Sequence, residues 1–123
     1  GTYVLRRQPA GKLLKSAHAV DREYRVLDAL KDSDVPVAQV YHLCEDVTVI
    51  GSMFYLMEFC DGSIYWHASL SEIDNNKQRT AMYDAMNKAL VALHSVDIDK
   101  VGLSTYGKMG NYFQRQLERW LRF

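Results

Sequence analysis

The stretch Val20-Asp21-Arg22-Glu23-Tyr24-Arg25-Val26-Leu27-Asp28-Ala29-Leu30 decides how the chain is read. At about 100° per residue, Val20, Tyr24, Val26, Leu27 and Leu30 define one apolar arc, as in a helix with a single buried side. Asp21, Arg22, Arg25 and Asp28 fall on the opposite side. Glu23 breaks the pattern, because it projects between Leu27 and Leu30, inside the apolar arc. A carboxylate aimed at a core is costly unless it is paired. The natural partner is a cation on a neighbouring strand.

Such a strand lies just upstream. Thr2 to Arg6 is rich in β-branched and aromatic residues, and Arg6 and Arg7 close it. Successive strand residues face opposite sides, so one of the two arginines faces the helix in either register. The arrangement has two readings: a cation held by Glu23 and aimed at a nucleotide phosphate, or a plain salt bridge on a half-wet helix edge. Spacing leaves both open.

Working outward, Gln8-Pro9-Ala10-Gly11 ends the strand, and Ser16 is the expected N-cap of a helix running to about Leu30. Pro36 pushes Val35 out of helical geometry, which makes residues 32–36 a loop. Val37 to Leu43 reads as strand or extended chain. Val47 to Ile50 and Met53 to Phe59 read as the two strands of a hairpin around Gly51-Ser52. The run Met57-Glu58-Phe59-Cys60-Asp61-Gly62 is an apolar strand that stops in an acidic turn, which taken alone is an ordinary strand terminus. Tyr65 to Asn75 reads as irregular or partly helical. Lys77 to His94 is a helix, with Met82, Met86, Ala89 and Leu93 on one stripe that is expected to fill core. Gly102 to Gly110 is a loop. Asn111 is placed to cap a last helix that carries Phe113, Leu117 and Trp120 on one face. Strands first and helices later argue an α+β fold.

Composition narrows the function classes. The 123 residues suffice for one modest domain, and the formal net charge is zero. No basic field exists to attract nucleic acid or anionic lipid. The longest apolar run falls short of the ~20 residues a bilayer requires. Cys44 and Cys60 form no metal-type pair, and His18, His42, His67 and His94 are scattered. A reduced compartment is the default. The chain opens directly into a strand-like run and stops inside a helical pattern, so it is expected to be a fragment of a longer protein.

Several of these segments together carry a resemblance. Tyr3-Val4-Leu5-Arg6-Arg7 with Pro9-Ala10-Gly11-Lys12-Leu13-Leu14 resembles the third strand and following loop of aminoglycoside-phosphotransferase-like enzymes, which have a protein-kinase-like fold. Ser16 to Tyr24 is similar to their lobe-bracing helix. Val35-Pro36-Val37, Cys44-Glu45-Asp46 and Ile50 to Glu58 resemble the next segments. The similarity is strongest to the phosphotransferase-like domain fused to acyl-CoA dehydrogenase family members ten and eleven. Ala92 to Asp97 and Tyr112 to Gln116 fit that subgroup too, so the resemblance covers nearly the whole chain.

The resemblance implies roles. Arg6 stands where kinase-fold enzymes carry a phosphate-binding lysine, and Glu23 stands where their helix glutamate pairs with it. Met57 corresponds to the residue behind the adenine pocket. Glu58 and Cys60 correspond to the hinge, whose backbone C=O and N–H groups bind adenine. Residues 1–62 would then be a partial nucleotide lobe, and residues 63–123 the start of a helical lobe. ATP and Mg are the implied cofactors, a small-molecule hydroxyl (a hydroxyacyl-CoA in the fused subgroup) the implied acceptor, and a fused acyl-CoA dehydrogenase domain the implied partner. An intracellular, mitochondrial or peroxisomal setting is compatible with it.

Two departures accompany these implications. Arginine replaces the usual lysine, keeping the charge but presenting a larger, planar group. The family's His-Gly-Asp…Asn catalytic run does not occur in the 123 residues. His94-Ser95-Val96-Asp97 has the wrong spacing, and His94 reads as a cation at a helix C-terminus. This chain alone is therefore expected to be inactive, and the Arg6 replacement keeps a non-catalytic nucleotide- or partner-binding module as the alternative.

Overall fold

β-branched and aromatic residues supply three short strands, which make one antiparallel sheet in the computed structural model of the chain. The structure describes residues 1–9, 11 and 19–122. The strands are β1 (Tyr3–Arg7), β2 (Val40–Cys44) and β3 (Phe54–Glu58), in the spatial order β1-β3-β2. The helices are α1 (Val20–Leu30), α2 (Asn76–His94) and α3 (Tyr112–Trp120). This is the α+β arrangement the element order implies.

The central strand β3 fixes the register on both sides. Arg6 lies opposite Tyr55 and Val4 opposite Met57 across β1, while Val40 lies opposite Met57 across β2. Helix α1 packs against β2 and β3. The buried hydrophobic side chains among the described residues, Val20, Leu30, Phe54, Tyr55 and Leu70, mark the small core, most of it between α1 and this sheet. The apolar arc of α1 is thus the buried side, with Val20 and Leu30 at its two ends.

Three expectations are corrected. The hairpin partner of β3 is Val40–Cys44, and Val47 to Ile50 forms turns between the strands. Local hydrogen bonding overrides β-propensity there. The Asp46 carboxylate accepts from the Thr48 N–H (2.8 Å) and hydroxyl (2.7 Å), Gly51 N–H bonds the Val47 carbonyl (2.9 Å), and Gly51 adopts φ +85°. The same two Thr48 bonds, the hydroxyl's first, hold the Asp46 carboxyl below the usual carboxylate range. Asn111 does occupy the N-cap position of α3, but in left-handed geometry (φ 50°) without a side-chain capping bond. The Met82/Met86 stripe does not close into core, since α2 has no fully buried residue and Met86 is 61% exposed. Ser16 lies outside the described residues; the N-cap position of α1 is Ala19.

Asn75 caps α2 in the expected manner, its side chain accepting from the N–H groups of Lys77 (2.9 Å) and Gln78 (3.3 Å). The accessible surface is 10171 Å², against roughly 6,800 Å² for a compact monomer of this mass. Much of the difference is apolar: Trp66, Met109, Phe113, Trp120 and Leu121 are largely exposed.

Candidate functional site

The anomalous carboxylate finds its cation. The parity of β1 turns Val4 and Arg6 toward one face of the sheet, the face Tyr55 shares by register. Helix α1 covers that face and brings Glu23 onto it. Arg6 Nε donates to Glu23 Oε2 at 3.1 Å, and Arg6 Nη2 donates to Glu23 Oε1 at 3.2 Å. This is the two-pronged guanidinium–carboxylate geometry, which fixes orientation as well as distance. The Tyr55 hydroxyl adds a third bond, donating to Glu23 Oε2 at 3.2 Å. Tyr55 is itself 3% exposed, and its ring meets Tyr24 edge-on at 5.9 Å.

The electrostatics follow from the contacts. The hydrogen bond to Glu23 and then its negative charge push the Arg6 guanidinium further above its ordinary value. Arg6 is therefore a permanent cation. Burial first, and the charge of Glu23 second, push the Tyr55 phenol above its ordinary 10.0. The Arg6 side chain keeps 43% of its surface in solvent and that of Glu23 37%. The pair is thus a fixed ion pair, held against the sheet on one side and half open to solvent on the other.

The strand end at residues 57–60 sits along the same strand. Met57 is half-buried between Val4 and Val40, two positions beyond Tyr55 and about 7 Å further along β3. Glu58 makes an unusual ladder contact. Its N–H donates to the Gln39 carbonyl at 2.8 Å, but the Gln39 N–H returns to the Glu58 carboxylate (Oε2, 2.8 Å) and not to its backbone carbonyl. An ordinary hydrogen-bonded antiparallel pair would use both carbonyls. Phe59 and Cys60 lie past the strand end, both exposed, and the thiols of Cys60 and Cys44 are free. The structure thus brings Arg6, Glu23 and Tyr55 into contact. It sets Met57 and Glu58 further along β3, and leaves Cys60 outside the sheet.

Two apolar cavities lie elsewhere, along α2. One of about 600 Å³ is lined by Val35, Pro36, Met86, Leu90 and Leu93; another of about 570 Å³ by Tyr65, His67, Leu70, Met82 and Tyr83. Neither is lined by Arg6, Glu23 or residues 57–60. Among the described residues, no group of three or more His, Cys, Asp or Glu side chains could hold a metal ion. No described helix is long and apolar enough to cross a membrane.

Tyr55 is the member of the site that the sequence reading missed. The available signal was its polar tip: a tyrosine in an otherwise apolar central strand requires a hydrogen-bond partner.

Comparison with known proteins places this geometry in context. The model of the phosphotransferase enzyme family (APH) matches residues 1–122. The chain is 51% identical over 121 residues to a protein of Arabidopsis thaliana named probable acyl-CoA dehydrogenase IBR3, covering 98% of this chain and 15% of that protein. It is 47% identical over 119 residues to acyl-CoA dehydrogenase family member 10 of Mus musculus, covering 97% and 11%. A crystal structure from Ralstonia eutropha, assigned to the aminoglycoside phosphotransferases, superposes with a TM-score of 0.81 at 51% identity, covering 98% of this chain and 34% of that one. The chain therefore spans about a third of the solved relative and a smaller share of the curated ones.

Proposed function

The chain belongs to the phosphotransferase enzyme family, and on that premise we propose that it forms the nucleotide side of an ATP-dependent phosphotransferase acting on a small-molecule hydroxyl. The observation that carries this reading is the Arg6 guanidinium, gripped at two nitrogens by Glu23 at the rim of the sheet yet 43% exposed. Phosphoryl transfer depends on fixed positive charge at the nucleotide phosphates, and bracing that charge in advance lowers its cost of reorganisation.

In this reading Arg6 contacts ATP phosphates, Glu23 orients Arg6, and Met57 closes the back of the adenine pocket. The backbone of Glu58 and Cys60 binds the adenine edge. The half-exposed guanidinium suits a phosphate. Metal, acid and base groups are then supplied outside these 123 residues, in line with the 34% share of the solved relative that the chain covers. The boundary between the nucleotide lobe and the helical lobe falls near Gly62. The acceptor in this reading is a hydroxyacyl-CoA, and the names of the relatives, both acyl-CoA dehydrogenases, support a fused dehydrogenase domain.

A calorimetric titration with ATP tests the reading. Saturable binding is expected, weakened about tenfold or more by Arg6→Ala, because a charge-assisted hydrogen bond contributes ~1.5–3 kcal/mol. Binding that Arg6→Ala leaves unchanged would overturn the assignment of Arg6. With labelled ATP the chain alone should transfer no phosphate, and transfer to any acceptor would contradict the placing of the chemistry outside it. The arginine in place of lysine favours a second reading, a nucleotide-binding module without catalysis. In that case ATP binds, but the longer protein also fails to transfer.

A further inference from the structure

Arg22 and Arg25 sit on the side of α1 turned away from the apolar arc, where the sequence pattern alone leaves them in solvent. Both instead reach segment 102–106, which follows α2. Arg22 Nη2 donates to the Tyr106 carbonyl at 3.1 Å, across 84 residues of sequence. Arg25 Nη2 donates to the Gly102 carbonyl at 3.3 Å and to Thr105 Oγ1 at 2.9 Å. The Arg22 guanidinium stands 4.1 Å over the Tyr106 ring, and that of Arg25 stands 5.8 Å from it, both within cation–π range.

The segment is ordered by its own turns. Val101 N–H bonds the Asp97 carbonyl (3.2 Å), Leu103 N–H the Ile98 carbonyl (2.8 Å) and Tyr106 N–H the Leu103 carbonyl (2.9 Å), while Gly102 takes φ +74°. Its carbonyls and ring therefore form a fixed receptor for the two guanidinium groups.

A helix moves as one body. Glu23 follows Arg22 directly, and it is bonded to Arg6 on the sheet side while Arg22 and Arg25 are bonded on the loop side. A rotation of α1 by ~30° swings a side-chain end about 5 Å from the axis through roughly 2.5 Å. That is enough to break bonds of 3.1–3.2 Å.

We propose that Tyr106 is a positioning residue: the clasp of segment 102–106 on Arg22 and Arg25 sets the rotation of α1 and so holds Glu23 within reach of Arg6. The clasp ties the segment after α2 to the orientation of the cation at the sheet rim. Its effect on ATP rests on the function proposed above. Its effect on Arg6 does not, and needs no nucleotide to be seen.

The test is the solvent-exchange rate of the Arg6 Nε–H, followed by NMR in the full 123-residue chain without nucleotide. Tyr106→Ala removes the ring, and exchange should quicken about two- to five-fold, the range for exposed cation–π contacts. Tyr106→Phe keeps ring and carbonyl and should restore the original rate. In a Glu23→Ala background the Arg6 proton is already unprotected, so adding Tyr106→Ala should change nothing further. An original rate in Tyr106→Ala, or additive effects in the double variant, overturns the proposal. If Tyr106→Ala also strips protection from the α1 backbone amides, Arg22→Lys replaces it, keeping the charge but losing the planar stacking. The same quickening is then expected, and an unchanged rate overturns the clasp. ATP failing to bind while these rates respond would count against the function alone.

Discussion

Replacing Glu23 by alanine or by glutamine separates two contributions that one carboxylate makes. The first is the ion pair with Arg6. Because the two side chains are 43% and 37% exposed, water screens this pair, and it contributes only about 0.2–1 kcal/mol. The second is the acceptor for the Tyr55 hydroxyl, whose residue is 3% exposed. Orphaning a buried hydroxyl costs about 1–3 kcal/mol, or roughly 5- to 150-fold in a local opening equilibrium. The hydroxyl therefore outweighs the charge. Glu23→Ala loses both, and amide exchange in α1 and β3 should quicken about tenfold or more. Glu23→Gln keeps an acceptor and loses the charge, so quickening should stay under about fivefold. Tyr55→Phe removes the donor and leaves no orphan, so it should stay within about threefold. Residue-resolved hydrogen exchange is the assay, because it reads local opening without requiring one cooperative transition. Equal damage from Glu23→Gln and Glu23→Ala would refute the reasoning, since the charge and not the hydroxyl would then dominate.

Three further outcomes are expected. The folded-state phenol of Tyr55 lies above its ordinary 10.0, so the folded form retains that proton longer than the unfolded one. Its stabilisation is complete below pH 10 and is lost as pH rises through the folded value, an alkaline limb of the exchange profile that Tyr55→Phe should remove. Asn75→Ala deletes the cap that accepts from Lys77 and Gln78 and should cost α2 about 1 kcal/mol, read as faster exchange in its first turn; no change there would show that the cap is dispensable. Glu58→Ala deprives the Gln39 N–H of its carboxylate partner and turns it toward the Glu58 carbonyl, the group assigned to adenine. ATP affinity should fall about two- to tenfold, with Glu58→Gln near the original, and unaltered affinity in Glu58→Ala would remove the carbonyl from the site.

The sequence carried the helix–strand contact because burial of a charge is a strong constraint: a carboxylate within the arc of Val20, Leu27 and Leu30 required a cation, and the parity of β1 narrowed the donor to two arginines. What remained illegible was set by contacts distant in sequence or by side chains competing with backbone preference. Val47 to Ile50 has strong β-propensity, yet Asp46, Thr48 and Gly51 bend it into turns. Arg22 and Arg25 read as solvated because segment 102–106, their receptor, lies some 80 residues away. The register that sets Tyr55 opposite Arg6 has no local signature, since either face of β3 is apolar enough to bury. The apolar stripe of α2 was legible as a pattern, but a pattern does not say what covers it.

The most direct test of a single nucleotide site spanning the sheet rim and the strand end is an ATP titration followed by nitrogen-15 shifts. The account predicts saturable changes, at one common affinity, in the Arg6 Nε–H and in the amides of residues 58–60, all weakened together by Arg6→Ala. Saturating ATP that leaves those signals in place, or moves only signals elsewhere, would contradict it.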